Sequence, residues 1–484
     1  MHISSLPGNF GIGTFGKNTY SFVDFLYESG QTYWQILPLC PTSFGDSPYQ
    51  SFSTFAGNPY FIDLDVLCKQ GYLKPEEYED INWGENPVKV DYGLLYVKRH
   101  EVFKKVQTHF FEKLPADYDA FCEKNAFWLD DYALFMAIKD SYSGKSFQEW
   151  DDSIRRREKS AVKEYSEKYA KRCDYYKMLQ YLFFEQWNKL KAYANDKGIK
   201  IIGDLPIYVA LDSADVWSSP EQFVLDDDLR PTEVAGCPPD AFSEDGQLWG
   251  NPLYDWEYMK NDGYSWWINR LRECLKMYDV VRIDHFRGFD SYYCIKFGST
   301  TAKVGEWKKG PGMDLFRAIK AQLGKMPIIA EDLGFLTPSV KRLLKQSKFP
   351  GMKVLQFAFD SREESDYLPH NYTPNSVVYT GTHDNDTIIG WQKSMKRADL
   401  RYAKEYLNSK LSFNWAMMTA TLSSVSDTAI LTMQDLMGLG GEARMNTPST
   451  LGGNWEWRAE DGYITADISE KLLHYTTLYG RKRK

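Results

Sequence analysis

The chain has 484 residues, of which 43% are hydrophobic and 26% charged, and its formal net charge is −8. This composition is ordinary for a globular protein with a large core. The acidic balance argues against nucleic-acid binding, which needs basic surfaces, and no apolar run approaches the roughly 18 residues of a membrane span. Aromatic residues are frequent, at 16%, and their flat faces suit core packing or stacking on sugar rings or bases.

The cysteines and the N-terminal residues predict the cellular compartment of the protein. The seven cysteines are scattered and have no CxxC spacing, so neither a disulfide framework nor a zinc site is expected, and a reducing compartment fits. Residues 1–16 lack the basic start and apolar stretch of a signal peptide. The expected location is the cytoplasm.

Seven short apolar runs end abruptly in polar residues. Most are continuous rather than alternating, which is typical of strands buried on both faces. The first residues, MHISS, look like the end of an eighth strand. The seven runs lie at residues 33–39, 200–209, 278–286, 326–334, 351–359, 376–385 and 428–438.

Helical segments lie between several of these runs. Residues 263–278 and 312–324 each precede a strand, and residues 337–347 begin with a Thr337 cap and Pro338 in the first turn. Repeated strand–helix–strand order predicts parallel βαβ units. The sequence therefore predicts an α/β fold, most naturally a (β/α)8 TIM barrel; a doubly wound open sheet is the alternative, since alternation alone does not separate the two.

A long segment interrupts this alternation. About 160 residues separate the run near residue 36 from the run near residue 202, which is too long for a loop. Helical periodicity covers residues 92–114, 127–142 and 163–198. We expect a large, mainly helical insertion (66–195) between the second and third barrel strands, with the catalytic barrel formed by residues 1–65 and 196–484.

Acidic residues stand at the carboxyl ends of four predicted strands, namely Asp204, Asp284, Glu331 and Asp384. In parallel barrels this end carries the active site. Carboxylates without metal-ligand spacing suggest glycoside chemistry, in which one carboxylate attacks the anomeric carbon and another protonates the leaving oxygen. The alternative is that these acids cap loops and pair with arginines for stability.

Neighbouring residues are expected to tune two of these acids. Arg282 precedes Asp284 by two residues, so in a strand both side chains share one face and the guanidinium favours the ionised carboxylate. Asp332 and the apolar residues before Glu331 are expected to raise the pKa of Glu331, as an acid catalyst needs.

Two groups of acidic residues invite a metal interpretation. His383, Asp384 and Asp386 resemble a ligand set, and Asp226–Asp228 resemble a calcium-style cluster. Neither has the complete ligand spacing, so solvated loops are favoured. GIGTFG (11–16) fits a nucleotide-binding motif poorly.

Several blocks of the sequence resemble glycoside hydrolase family 77 of the α-amylase clan, the 4-α-glucanotransferases or amylomaltases. RIDHFRGF (282–289), AEDLG (330–334) and GTHDN (381–385) are similar, in that order, to the three catalytic motifs of the family. Longer similar blocks extend along the chain, namely SSLPGNFGIGTFG (4–16), SPYQSFSTFAGNPYFIDL (47–64), GDLPIYVALDSADVW (203–217), GCPPDAFSEDGQLWGNPLYDW (236–256) and NTPST with NWEWR (446–458).

The resemblance implies a role for each motif. Asp284 is expected to be the nucleophile, Glu331 the general acid/base and Asp384 the transition-state stabiliser, with no metal or cofactor. Residues 236–254, which include Trp249, are expected to form a lid over the glucan; a rigid connection is the alternative. The expected substrate-binding residues are Tyr49, Asp204, Asp240, Trp249, Arg282, His383 and Asn454.

The implied reaction transfers a segment of an α-1,4-glucan to the 4-hydroxyl of another glucan or of glucose, with retention through a glycosyl-enzyme intermediate. Plain hydrolysis and non-catalytic carbohydrate binding are the alternatives. The expected partners are maltodextrins, with no nucleic acid or membrane, and the chain is expected to be a monomer or homodimer. The family usually has a short segment before HISSLP, so we expect a short first strand or a start upstream of Met1.

Overall fold

All seven predicted strands are present in the computed structural model, which describes residues 1–43, 45–239, 243–334 and 336–483. Four further strands lie between them. In chain order the strands are β1 (Tyr33–Gln35), β2 (Lys200–Leu205), β3 (Glu233–Cys237), β4 (Gln247–Pro252), β5 (Val280–Ile283), β6 (Ser291–Lys296), β7 (Glu306–Lys309), β8 (Ile328–Ala330), β9 (Gly351–Val354), β10 (Ser376–Tyr379) and β11 (Thr428–Ile430).

The seven predicted strands form two parallel sheets, one ordered β1-β2-β5-β8 and the other β9-β10-β11. The sheets adjoin where the Ala330 amide donates to the Pro350 carbonyl at 2.9 Å. The hydroxyl of Tyr379 on β10 also donates to Gln35 Oε1 on β1 at 3.0 Å. The predicted α/β class is confirmed. Both sheets contribute to one buried apolar cluster, which contains Ile202, Ile329, Met352, Val354, Val377 and Tyr379.

The predicted eighth strand at the start of the chain is wrong. Ile3–Ser5 form a 3-10 turn. The Met1 carbonyl accepts the indole N–H of Trp34 at 2.7 Å, and His2 Nδ1 accepts the Leu37 amide at 3.2 Å. Side-chain hydrogen bonds, rather than a strand ladder, therefore hold this segment against β1.

Helices separate most of the parallel strands, as βαβ order requires. None of the described helices is long and apolar enough to span a lipid bilayer. The helices are α1 (Lys17–Glu28), α2 (Leu64–Gln70), α3 (Tyr92–Glu112), α4 (Tyr118–Ser141), α5 (Asp152–Arg155), α6 (Lys159–Lys168), α7 (Ala170–Asp196), α8 (Ala214–Ser218), α9 (Trp256–Asn261), α10 (Ser265–Met277), α11 (Met313–Leu323), α12 (Pro338–Ser347), α13 (Ile388–Ser394), α14 (Arg397–Leu407), α15 (Phe413–Ser423), α16 (Met433–Met437) and α17 (Ala466–Leu478).

The long segment between β1 and β2 is mainly helical. Its longest helix, α7, ends at Asp196, shortly before β2 begins at Lys200. This helix carries two buried glutamines that bind the backbone of the loop between β1 and α2. Gln180 accepts the Gly57 amide at 2.7 Å and donates to the Gly57 carbonyl at 2.9 Å. Gln186 does the same at Asp63, at 2.7 and 3.2 Å. These pairings satisfy backbone groups that burial would otherwise leave unpaired.

A separate antiparallel sheet, ordered β4-β3-β6-β7, comes from the segments that follow β2 and β5. The sequence analysis did not predict this sheet. The two ends of the expected lid therefore lie in strands, residues 236–237 in β3 and 247–252 in β4, and Trp249 lies on β4. The expected site residue Asp240 lies outside the described residues.

Candidate active site

Two of the predicted catalytic acids stand side by side at the carboxyl edge of the first sheet. β5 and β8 are paired so that Ile283 lies opposite Ala330, and the next residues are Asp284 and Glu331. The Glu331 amide donates to the Ile283 carbonyl at 3.0 Å. Because neighbouring strands lie about 4.8 Å apart, this register brings the two carboxyl groups to adjacent positions at one edge.

Arg282 occupies the centre of a buried charge network beneath this edge. Its Nη1 donates to both carboxylate oxygens of Asp204, each at 2.7 Å, and its Nη2 lies 2.9 Å from Asp284 Oδ1. The Arg282 and Asp204 side chains are only 4% and 1% exposed. The pairing follows from register, since Asp204 on β2 lies directly opposite Arg282 on β5. The predicted contact between Arg282 and Asp284 is present.

Tyr49 connects this network to the turn after β10 that carries the third acid. Its hydroxyl donates to Asp204 Oδ2 at 2.7 Å and lies 3.4 Å from His383 Nδ1. The Tyr49 and His383 rings stack with centroids 5.1 Å apart, and Trp455 packs 5.7 Å from Tyr49. The Asp204 side chain is 1% exposed and is hydrogen-bonded to both Tyr49 and Arg282.

The Glu331 carboxylate is held by the backbone rather than by a cation. Its Oε2 accepts the His285 amide and its Oε1 accepts the Leu333 amide, both at 2.7 Å. His285 has the left-handed φ of +49°, a conformation that His tolerates better than most residues. Burial, and then the neighbouring charge of Asp284, raise the pKa of Glu331 from 4.5 to about 8.

The cause that the sequence analysis gave for this raised pKa is wrong in one part. Asp332 is not among the main causes of the shift, which are burial and the charge of Asp284. Instead, Asp332 Oδ1 accepts the Met352 amide of β9 at 2.6 Å. The apolar approach to Glu331 does matter, because burial is the largest cause of the shift.

Asp384 is positioned by residues that the sequence analysis did not single out. Asn446 Nδ2 donates to Asp384 Oδ1 at 2.6 Å, and Arg444 Nη2 donates to the Asp384 carbonyl at 2.5 Å. His383 Nε2 lies 3.4 Å from the same carboxylate oxygen. Asn446 was within reach of sequence reasoning, since it opens the NTPST block, but no local pattern marks Arg444.

His285 is a third residue that the sequence analysis did not assign to the site. Its ring packs edge-on against Trp249, with centroids 4.8 Å apart. Its Nε2 is buried and has no hydrogen-bond partner among the described residues. Burial, and then Arg287, lower the pKa of His285 to about 3, so the ring is neutral and offers this nitrogen to a hydroxyl group.

These groups open into one cavity of about 1730 Å³. This volume exceeds the 300–1,000 Å³ of ordinary small-molecule sites, so the cavity suits an extended ligand. Asn454 stands at its rim, where it binds its own loop through the Thr447 amide at 2.9 Å. Buried Asp204 does not line the cavity. The predicted residues that do are Tyr49, Trp249, Arg282, Asp284, Glu331, His383, Asp384 and Asn454.

Neither metal interpretation finds support in the structure. In the described parts of the chain no group of three or more His, Cys, Asp or Glu side chains is arranged to hold a metal ion. Asp386 instead accepts the Thr387 amide at 2.8 Å, and Asp226 accepts the amides of Asp228 and Arg230 at 2.9 Å. Both acids therefore order their own loops.

Comparison with known proteins decides the family. A family model described as 4-alpha-glucanotransferase, glycoside hydrolase family 77, matches residues 1–465. The chain belongs to this family. The 4-alpha-glucanotransferase of Clostridium butyricum is 50% identical over 99% of this chain and 100% of its own. That of Thermus thermophilus is 46% identical over 98% of this chain and 96% of its own.

Solved structures agree with the family 77 assignment. Amylomaltase from Streptococcus agalactiae, solved in complex with acarbose, is 46% identical and superposes with a TM-score of 0.98 over 100% of this chain and 99% of that one. Amylomaltase from Corynebacterium glutamicum, at 18% identity and a TM-score of 0.78 over 100% of this chain and 74% of that one, shares the fold. The chain is thus a family 77 enzyme, a transferase acting on α-1,4-glucans.

Proposed function

We propose that this family 77 chain transfers α-1,4-glucan segments by a retaining double displacement through a covalent intermediate on Asp284. The observation that carries the proposal is the register of β5 and β8, which sets Asp284 beside Glu331 in a single cavity. Retaining enzymes need two carboxyl groups about 5–5.5 Å apart, and adjacent positions on neighbouring strands, about 4.8 Å apart, suit that spacing.

In the first step a carboxylate oxygen of Asp284 attacks the anomeric carbon of the donor. The bond from that carbon to the glycosidic oxygen breaks, and Glu331 gives its proton to this leaving oxygen. Arg282 Nη2, 2.9 Å from Asp284 Oδ1, holds the attacking carboxylate in place. The pKa of about 8 keeps Glu331 protonated at neutral pH, as a general acid requires.

In the second step the 4-hydroxyl of another glucan attacks the same carbon. Glu331, now ionised, takes the hydroxyl proton, and the ester bond to Asp284 breaks, which regenerates both groups. Asp384, fixed by Asn446 at 2.6 Å, supports the positive charge that develops on the sugar ring. His285 Nε2, which has no hydrogen-bond partner among the described residues, accepts or donates a hydrogen bond with a sugar hydroxyl group.

The proposed substrate is a maltodextrin, and both donor and acceptor are taken to occupy the same long cavity. We further propose that the two parallel sheets belong to one barrel of the (β/α)8 type, in which the segment at residues 1–5, held against β1 by side-chain hydrogen bonds, takes the place of one strand. Residues 66–195 are then a helical insertion, and residues 1–65 and 196–484 are the catalytic part. The shared apolar cluster and the Ala330–Pro350 hydrogen bond support this arrangement.

The direct test of transfer is incubation with maltotriose alone, followed by separation of the products by chain length. Transfer gives glucose together with a ladder of glucans longer than maltotriose. Products that are all shorter than maltotriose would assign hydrolysis instead. A variant with Asp284→Asn serves as the negative control for contaminating activity.

A further inference from the structure

Trp307 is a large aromatic side chain that the proposed mechanism does not use. It lies on β7, opposite Tyr293 on β6, and the two ring centroids are 5.3 Å apart. Trp307 is 43% exposed and lines the catalytic cavity. An exposed indole on a cavity wall offers a flat apolar face to the C–H face of a sugar.

Arg287 fixes the position of this indole. The guanidinium carbon lies 4.0 Å from the centre of the Trp307 ring, which is close contact for a stacked cation. The indole remains 43% exposed beside this guanidinium and the Tyr293 ring. Arg287 itself belongs to the short 3-10 turn Phe286–Phe289 that directly follows the catalytic strand β5.

The same turn anchors the end of β7. The Gly310 amide donates to the Asp290 carbonyl at 2.8 Å, and the Gly312 amide donates to the Phe289 carbonyl at 2.7 Å. Trp307 is therefore held at a set distance from the catalytic edge instead of lying on an unsupported loop.

The indole lies on the Glu331 side of the cavity. The Phe286 amide, which opens the turn, donates to the Glu331 carbonyl at 3.0 Å. Tyr49, His383 and Asp384 contact one another in series and join the pair of Asp204 and Arg282 through Tyr49. In the proposed mechanism Glu331 protonates the leaving oxygen, so glucose units on the far side of that oxygen, those of the leaving group or the acceptor, extend over the Glu331 side.

We infer that Trp307, held by Arg287, is a stacking platform for acceptor glucose units beyond the first, and that it sets the preference for long acceptors. This inference rests on the proposed function, since it assumes that Glu331 faces the acceptor. Glucose as acceptor ends before the platform, whereas maltotriose reaches it. Stacking also holds the acceptor over the intermediate and so keeps water from it.

The test uses a donor that needs no acceptor site to react. α-Maltotriosyl fluoride with a methylated non-reducing 4-hydroxyl releases fluoride when it glycosylates the enzyme and cannot itself accept. The kcat/KM values for glucose, maltose and maltotriose as acceptors are measured for the wild type, Trp307→Ala and Trp307→Phe. The matched control is Tyr258→Ala, because Tyr258 is similarly exposed, at 41%, on α9 outside the cavity.

For Trp307→Ala we expect the ratio of the maltotriose to the glucose value to fall roughly 3- to 10-fold, as one lost aromatic contact implies. The fall should appear in KM more than in kcat. Trp307→Phe should restore part of the ratio, and Tyr258→Ala should leave it unchanged. Melting temperatures show whether each variant is folded.

Two results would overturn the inference: an equal loss for all three acceptors, or an unchanged ratio in a folded Trp307→Ala variant. A loss that follows donor length rather than acceptor length would place the indole on the donor side and overturn it as well. Failure of the wild type to release fluoride and form longer glucans would instead contradict the proposed function, independently of the ratio.

Discussion

The floor and the rim of the cavity hold their side chains in different ways. The floor consists of the cavity residues Tyr49, Arg282, Asp284 and Glu331 together with Asp204, which is buried beneath them. Each carboxylate of the floor has a partner from another strand or from the backbone, and Arg282 and Asp204 are almost fully buried. At the rim, Trp307 is 43% exposed.

Asn454, also at the rim, binds only within its own loop, through residues 447 and 450. This difference separates the side chains that take part in the reaction from those that select the substrate. Buried charges act in a low-dielectric environment, where electrostatic interactions are stronger and are fixed before the substrate arrives. Exposed side chains contribute stacking and hydrogen bonds that solvent partly replaces. Changes to the floor should therefore abolish turnover, whereas changes to the rim should alter which glucan is used.

The largest effect is expected for Asp284→Asn, which removes the proposed nucleophile. We expect kcat for maltotriose disproportionation to fall by at least ~10⁴-fold, as for other residues that form a covalent bond. Asp245→Asn, at an exposed rim carboxylate that pairs with Lys303, is the matched control and should keep activity near that of the wild type. Comparable losses in the two variants would remove the distinction between floor and rim.

Glu331→Gln should come next. General acid–base catalysis contributes typically 10²–10⁴-fold, and kcat for maltotriose should fall within that range. Glycosylation by α-maltotriosyl fluoride should be far less affected, since fluoride leaves without protonation. An equal loss with both donors would show that Glu331 supports structure rather than proton transfer.

Asp204→Ala tests the buried network beneath the reacting groups. The variant leaves the Arg282 guanidinium buried with one carboxylate partner fewer, which costs about 3–5 kcal/mol of stability. Chemical denaturation measures this loss. Asp228→Ala, which breaks a surface pair with Arg156, should change stability little. Equal changes in the two variants would contradict the assignment of Asp204 to the floor.

Asn446→Ala and Asn454→Ala compare two asparagines of one loop. Asn446 binds the carboxylate of Asp384, whereas Asn454 lies at the rim. Removing the hydrogen bond to the Asp384 carboxylate costs about 1.5–3 kcal/mol and should lower kcat roughly 10- to 100-fold. Asn454→Ala, in the same loop but bound only to its neighbours, should change kcat less than about 3-fold. The comparison fails if Asn454→Ala has the larger effect on kcat.

The smallest expected effect is a pH-dependent change in the melting temperature of Glu331→Gln relative to the wild type. The pKa of Glu331 is raised from 4.5 to about 8, so the folded state binds this proton more tightly than the unfolded chain does. The resulting stability is present below pH 4.5 and is lost as pH rises towards about 8. Glu331→Gln does not titrate. The melting temperature of the variant relative to the wild type should therefore rise by a few degrees between pH about 5 and about 9, whereas exposed Glu470→Gln should show no such trend.

The strands and the floor were predictable because their signals are local. Continuous apolar runs predicted all seven parallel strands, and the two-residue spacing of Arg282 and Asp284 predicted their contact. The antiparallel sheet was missed because two of its strands, β4 and β7, are partly exposed and lack a continuous apolar run. The eighth strand was predicted from MHISS alone, but side-chain hydrogen bonds to Trp34 and Leu37 hold that segment instead.

Contacts over long sequence distances were the hardest to predict. Asn446 binds Asp384 across 62 residues, and Asp204 joins Arg282 across 78. The register of β2 and β5 determines the second pair, and the contact between two loops, in which the Asn446 amide donates to the His383 carbonyl at 3.1 Å, determines the first. A single sequence shows only the partners. The pKa of Glu331 had a correctly predicted direction, but its second cause, Asp284, comes from strand pairing and not from the neighbouring Asp332.

The most direct test of the central claim is intact-mass measurement of Glu331→Gln after incubation with α-maltotriosyl fluoride. The variant should form the Asp284 ester, because fluoride needs no acid, and should accumulate it, because no base activates the acceptor. The account predicts a mass gain of one maltotriosyl group that maps to Asp284 and is absent from the double variant with Asp284→Asn. Fluoride release without a covalent adduct, or an adduct on another residue, would contradict it.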